Sequence, residues 1–182
     1  WGARAARDLA GTAVAPATVI AFPLGYVEPT VRVAESVRAV TDGARELDTV
    51  INLSWLKSGD DARAGDDLAG WVAAMRRLDP GLVLKVIVET GLLADDEKRR
   101  AARLATAAGA DFVKTSTGFG PGGATAADVR LLAEAVAGTP TRVKASGGIR
   151  DLAAALAMIE AGAERLGTSS GVAILAEAAL PG

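Results

Sequence analysis

Short β-branched or apolar runs alternate along this chain with Ala-rich stretches of helical period. That alternation restricts the fold more than any other feature. The runs lie at 18–22, 47–52, 83–88, 112–115, 142–145 and 165–168. Their length and composition suit buried parallel strands. Between them, 31–40, 68–78, 95–108, 126–136 and 152–161 carry apolar residues on one helical face, as Leu68, Val72, Met75 and Leu78 do. Asp95 and Thr125 read as N-caps, and Pro80 closes the stretch before it. Gly43, Gly109 and Gly162 stand where a helix must turn back into a strand, the usual place for a left-handed C′ residue. Strand starts recur about every 25–35 residues, the length of one βα unit. Such alternation leaves two α/β architectures, an open doubly wound sheet or a (β/α)8 barrel of the TIM type. About six units are legible, with no linker, so 1–182 reads as one domain.

Composition narrows the chemistry. The 182 residues include no cysteine and no histidine. Disulfides, thiolate metal sites and histidine-ligated metals are therefore excluded, and acid–base work falls to Asp, Glu, Lys, Tyr, hydroxyls or water. A net charge of -2 argues against a nucleic-acid partner. No stretch approaches the ~18 consecutive apolar residues of a membrane span. The opening Trp1-Gly2-Ala3-Arg4 has no signal-peptide pattern, and the expected location is the cytoplasm.

Only five of the 20 basic residues are lysine, and three of these, Lys85, Lys114 and Lys144, fall inside strand runs. A buried ammonium is costly unless it is paired or neutralised. In neighbouring strands with matched faces the three would lie side by side, about 4.8 Å apart. Like charges that close favour a lowered pKa in at least one. A neutral amine near pH 7 is what attack on a carbonyl requires, and arginine cannot supply it. The plainer reading is that these lysines pair with carboxylates such as Asp48 or Glu89. Asp48 itself opens an otherwise apolar strand, either as strand-edge polarity or as a proton-relaying partner of a lysine.

Glycine and hydroxyl clusters follow the later strands: Thr115-Ser116-Thr117-Gly118, Ser146-Gly147-Gly148 and Thr168-Ser169-Ser170-Gly171. Each falls at the C-terminal end of a strand, the edge that carries the site in α/β folds. Backbone N–H groups at such turns bind phosphate well, although any single cluster also serves as ordinary turn and cap chemistry.

The segments Asp111-Phe112-Val113-Lys114-Thr115-Ser116-Thr117-Gly118 and Val143-Lys144-Ala145-Ser146-Gly147-Gly148-Ile149-Arg150 resemble the two lysine segments of the deoxyribose-phosphate aldolase family. Thr18–Gly25, Glu46–Asn52, Leu84–Thr90 and Gly118–Thr125 match it too, in family order. The resemblance implies a (β/α)8 barrel, entered here after its second βα unit. It also implies a class I aldolase that needs no metal or organic cofactor and cleaves 2-deoxy-D-ribose 5-phosphate reversibly to acetaldehyde and D-glyceraldehyde 3-phosphate. On it, Lys114 forms the imine, Lys144 lowers the Lys114 pKa, Asp48 joins a water-assisted proton relay, and Lys85 holds Asp48. Gly118, Gly147, Gly148, Ser169 and Ser170 would cradle the phosphate. The implied partner is a small phosphorylated sugar, with self-association into a homo-oligomer an accompanying expectation. Two alternatives remain, a barrel that binds phosphosugars without catalysis and an inactive, shortened one.

Overall fold

A computed structural model describes residues 1–179; residues 180–182 of the expected domain lie outside the described residues. Six parallel strands form one sheet in sequence order: β1 (Ala17–Ile20), β2 (Glu46–Val50), β3 (Val83–Ile87), β4 (Phe112–Lys114), β5 (Arg142–Ser146) and β6 (Arg165–Gly167). Eight helices accompany them among the described residues: α1 (Gly2–Asp8), α2 (Pro29–Thr41), α3 (Leu53–Lys57), α4 (Asp61–Leu78), α5 (Asp95–Ala107), α6 (Ala126–Val136), α7 (Leu152–Glu160) and α8 (Gly171–Ala178). From α4 onward, successive helices pack side by side in chain order. Parallel neighbours joined by helical crossovers, with no reversal of strand order, are the topology of a (β/α)8 barrel. The sheet curls, so that Arg165 on β6 reaches Glu46 on β2 across its concave face. No described helix is long and apolar enough to cross a membrane.

The period-two alternation of each strand divides its residues between two environments. Leu47, Leu84, Val86, Val113, Val143 and Ala145 point outward into the apolar layer beneath the helices, where Leu68, Trp71, Met75, Ala101, Val129 and Leu132 meet them. The alternate positions are strongly polar: Glu46 and Asp48 on β2, Lys85 on β3, Lys114 on β4, Lys144 on β5 and Arg165 on β6. Polar groups spaced by two along largely buried strands are costly unless they find one another, because burial strips much of their hydration.

The caps follow their expected chemistry with one correction. The Thr125 hydroxyl accepts from the Asp128 N–H at 3.0 Å and starts α6. Asp95 is not an N-cap; it is the first helical residue of α5. The cap position is Ala94, which has no side-chain acceptor, and the Glu97 carboxylate reaches back to accept from the Ala94 N–H at 2.8 Å. Only the half of a capping box that Glu97 supplies is made. Gly43, Gly109 and Gly162 have φ of +105°, +85° and +110°, as their place between helix and strand demands.

One buried polar knot fixes β2, the strand that carries Asp48. Arg32 of α2 is fully buried and donates to the Val50 carbonyl at 2.7 Å and to the Thr49 hydroxyl. Its guanidinium also pairs with Asp67 of α4 at 3.0 Å. Nearby the Trp71 indole N–H donates to the Ser36 hydroxyl at 2.9 Å, and that hydroxyl donates to the Arg32 carbonyl at 2.8 Å. Two helices are thereby fastened to one strand by directional bonds as well as by apolar contact.

Candidate active site

Asp48 is the hub. Its side chain is 5% exposed, and its carboxylate accepts from three lysines on three successive strands. Lys85 Nζ lies 2.7 Å from Oδ1, and Lys114 Nζ and Lys144 Nζ lie 2.9 Å and 2.8 Å from Oδ2. Lys85, fully buried, also contacts Glu46 Oε2 at 2.7 Å. Glu46 in turn pairs with Arg165. Four cations therefore meet two carboxylates on the concave face. The remaining lysines lie outside this group: Lys57 binds the Leu92 carbonyl and Glu97, and Lys98 binds Asp95 and Asp128.

The three strand lysines do not stand in one row. Lys114 and Lys144 are register partners, but Lys85 pairs with Phe112 and Asp48, two residues before Ile87, the register partner of Lys114. The offset arises because strands in a closing sheet are staggered. It gives each lysine its own approach to the carboxylate, Lys85 at one oxygen and the other two sharing the second. The lysines follow the plainer reading in one respect. They do pair with a carboxylate, but all three use the same one.

Electrostatics follow from this packing. Burial alone would raise the Asp48 pKa; the charges of Lys114, Lys144 and Lys85, with the Lys144 hydrogen bond, outweigh it and hold the group well below the usual carboxylate range. Burial pushes the Lys144 ammonium below its ordinary value, Asp48 resists, and the neighbouring Lys114 and Lys85 charges add to the fall. Burial would likewise raise Glu46, but the hydrogen bonds from Lys85 and Arg165 keep it low.

The turns at the C-terminal ends of the strands surround this cluster. Thr115 and Ser146 join β4 to β5: the Thr115 hydroxyl donates to the Ser146 carbonyl and accepts the Ser146 N–H, both at 3.0 Å. The Ser146 hydroxyl donates to the Ser116 carbonyl at 2.7 Å. Gly147 and Gly148 follow with φ of +94° and +78°, and the Gly147 carbonyl accepts from the Ala124 N–H at 2.9 Å. A side chain at Gly118 or Gly148 would meet nothing within 4 Å, so both backbones are open to an incoming group. Ser169 is exposed, and Ser170 is the N-cap residue of α8, where its N–H donates to the Thr168 hydroxyl at 2.9 Å. All five expected phosphate-cradle residues thus lie in the turns after β4, β5 and β6.

Three further residues belong to the site's architecture. Glu46 and Arg165 form the layer beneath Lys85, and Arg165 and Arg142 lie over the Phe112 ring at 4.9 Å and 4.1 Å. Glu46 was legible in principle, since it precedes Asp48 by two and must share its face. Glu89, in the left-handed region at φ +56°, accepts from the Thr117 N–H at 3.2 Å and from its hydroxyl, and pins the turn that carries Gly118. No local signal separates Glu89 from an ordinary strand-end carboxylate.

Three lysines gathered on one carboxylate inside a curled parallel sheet, with glycine- and hydroxyl-rich turns at the C-terminal ends of its strands, define a site on a barrel-type scaffold. The chain belongs to the DeoC/LacD aldolase family, whose model matches residues 2–177. A deoxyribose-phosphate aldolase of Desulfitobacterium hafniense is 51% identical over 171 residues, covering 94% of this chain and 77% of the relative. One from Carboxydothermus hydrogenoformans is 54% identical over 158 residues, covering 87% and 69%. The tetrameric deoxyribose phosphate aldolase of Aeropyrum pernix superimposes with a TM-score of 0.87 at 34% identity, covering 96% of this chain and 72% of that one.

Proposed function

We propose that this protein is a deoxyribose-phosphate aldolase that works through an imine on Lys114. The observation that carries the assignment of roles is the shared Asp48 oxygen, with Lys114 and Lys144 at 2.9 Å and 2.8 Å. Two ammoniums on one carboxylate oxygen, with a third cation on the other, favour loss of a proton from the pair. Lys114 attacks the substrate aldehyde as the free amine, and loss of water gives the protonated imine. That imine is the electron sink. The sugar's C3 hydroxyl gives up its proton, the C2–C3 bond breaks, and its electron pair forms an enamine on Lys114. Glyceraldehyde 3-phosphate leaves; protonation of the enamine and hydrolysis release acetaldehyde and restore the amine.

Lys144, half-buried and with its pKa lowered, is suited to exchange protons with the reacting groups. Asp48 fixes both amines while they are charged. As either is neutralised, its carboxylate regains basicity and can join a water-assisted relay. Lys85 lies between two carboxylates and holds Asp48 in orientation. The N–H groups and hydroxyls of Gly118, Gly147, Gly148, Ser169 and Ser170 receive the substrate phosphate. No step draws on a metal or organic cofactor. Assembly into a homo-oligomer, as in the A. pernix relative, and a cytoplasmic location are part of the same reading.

Incubation with acetaldehyde and borohydride tests the assignment, because reduction converts the imine into a stable ethylamine. The adduct is expected on Lys114 by peptide mass spectrometry, and absent in Lys114→Arg. Folded protein with no adduct, or with the ethyl group on Lys144 or Lys85 alone, would overturn it. Turnover of 2-deoxy-D-ribose 5-phosphate then separates the aldolase from a barrel that only binds phosphosugars.

A further inference from the structure

We infer that the exposed face of α4 is a surface on which two copies of this chain meet, their α4 helices packed antiparallel about a twofold axis level with the Trp71–Val72 step. The inference rests on the proposed homo-oligomer and names the surface that forms it. It begins from the charges of α4. Asp61 pairs with Arg100, Asp67 with the buried Arg32 and Arg76 with Asp111, and Arg63 lies over the Trp55 ring at 4.3 Å. Asp66 and Arg77 are left over. Both are exposed, and neither makes an ion pair among the described residues.

Asp66, Gly70, Ala73 and Arg77 are spaced four, three and four apart, so they form one stripe along the helix, and all four are exposed. Such spacing is that of the seam between packed helices. It also reads the same from either end. Turned about its midpoint, the stripe lays Asp66 against the partner's Arg77 and Gly70 against the partner's Ala73, and the twofold makes each contact twice. Alanine on an exposed helix needs no special reason, but glycine in mid-helix weakens it. Gly65, also in α4, has a cause within the chain: a Cβ there would lie 3.3 Å from Leu104 Cδ2. A Cβ on Gly70 would meet nothing within 4 Å, so no contact within the chain calls for glycine. Close approach of a second helix does.

An independent sign lies on the side of the stripe toward α2. There α2, α3 and α4 border an open groove of about 610 Å³, walled by Val33, Trp55, Trp71 and Ala74. Asp67 lines this groove with a side chain 2% exposed; its Oδ2 faces Arg32 at 3.0 Å, and its Oδ1 has no hydrogen-bond partner. A buried carboxylate oxygen without a donor is costly. The guanidinium that the twofold brings opposite Asp66 stands beside Asp67 as well and supplies that donor. Because α4 packs on the outer side of the sheet, the contact leaves the lysine cluster uncovered.

Sedimentation velocity across a range of protein concentration tests this, with circular dichroism and borohydride trapping on the same samples. Wild type should sediment at twice the 18.4 kDa of one chain or more. Asp66→Arg and Arg77→Glu each set like charges against one another across the axis, and each should raise the dissociation constant of the contact about tenfold or more. The double variant D66R/R77E restores opposite charges and should restore association. Gly70→Leu should keep the fold, since the space around it is open in one chain, and should lose the contact. All four variants should still trap acetaldehyde on Lys114. An assembly that none of these changes weakens, or a double variant that associates no better than the single ones, would overturn the inference. Should a single variant lose helix content, the double variant decides, because it recovers the assembly only if charge pairing holds it. Wild type that stays monomeric at every concentration overturns the homo-oligomer itself, an outcome distinct from an assembly that ignores α4, and neither touches the imine assignment.

Discussion

Asp48→Asn preserves shape and removes the one charge that three ammoniums share. Lys85 retains Glu46, but Lys114 and Lys144 lose the carboxylate they share, at contacts of 2.9 Å and 2.8 Å, with side chains 9% and 13% exposed. Breaking a buried ion pair by removing one partner costs about 3–5 kcal/mol, because the other charge is left uncompensated. Here two charges are left, but each can escape by losing its proton, which caps the penalty. A loss of about 3–5 kcal/mol at pH 7 is therefore expected, a large share of the ~5–15 kcal/mol typical of a folded domain. Urea unfolding followed by circular dichroism measures it. The pH dependence provides a second check. In the variant, Lys144, whose pKa burial already lowers, loses the carboxylate that resists that fall and binds its proton less readily folded than unfolded, so stability rises with pH and the gap to wild type should narrow as pH rises toward the ordinary lysine range. The wild-type Asp48 contribution has the opposite edge. Its folded pKa is depressed, so its stabilisation is present above the ordinary carboxylate pKa and lost as pH falls through and below it. Asp48→Asn should lack that acid-sensitive component. A loss under about 1 kcal/mol at pH 7, or a gap independent of pH, would refute the claim that this carboxylate organises the lysines.

Further outcomes follow from the geometry. Ser36→Ala leaves the buried Trp71 indole N–H without its acceptor and should cost about 1–3 kcal/mol in urea unfolding, with imine trapping preserved in the folded protein. A methyl group at Gly167 would sit 3.2 Å from Lys144 Cε and 2.9 Å from Ser146 Cβ. Gly167→Ala should thus slow borohydride trapping while leaving secondary structure by circular dichroism intact. A methyl at Gly123 would meet the Gly147 carbonyl at 2.5 Å and break its bond from Ala124. Gly123→Ala should raise KM for the phosphorylated substrate more than it slows trapping of acetaldehyde, which carries no phosphate.

The sequence by itself determined the units. Short β-branched or apolar runs suit buried parallel strands, and the Ala-rich stretches of helical period between them suit the helices that return the chain to the sheet, three of them closed by glycine. That reading placed all six strands and the five main crossover helices, because their patterns are local. Local pattern also singled out Lys85, Lys114, Lys144 and Asp48, since a charge inside a strand run is conspicuous wherever the strand ends up. It misassigned the cap of α5, where Asp95 is the first helical residue and Glu97, two residues on, accepts the N–H of the cap residue Ala94. Only tertiary structure decided how the charges divide among partners. Strand stagger set Lys85 apart from the other two lysines, and the curl of the sheet brought Arg165 within reach of Glu46, 119 residues away in the chain. Those pairings depend on register and curvature, which belong to the sheet as a whole and leave no trace in any one segment.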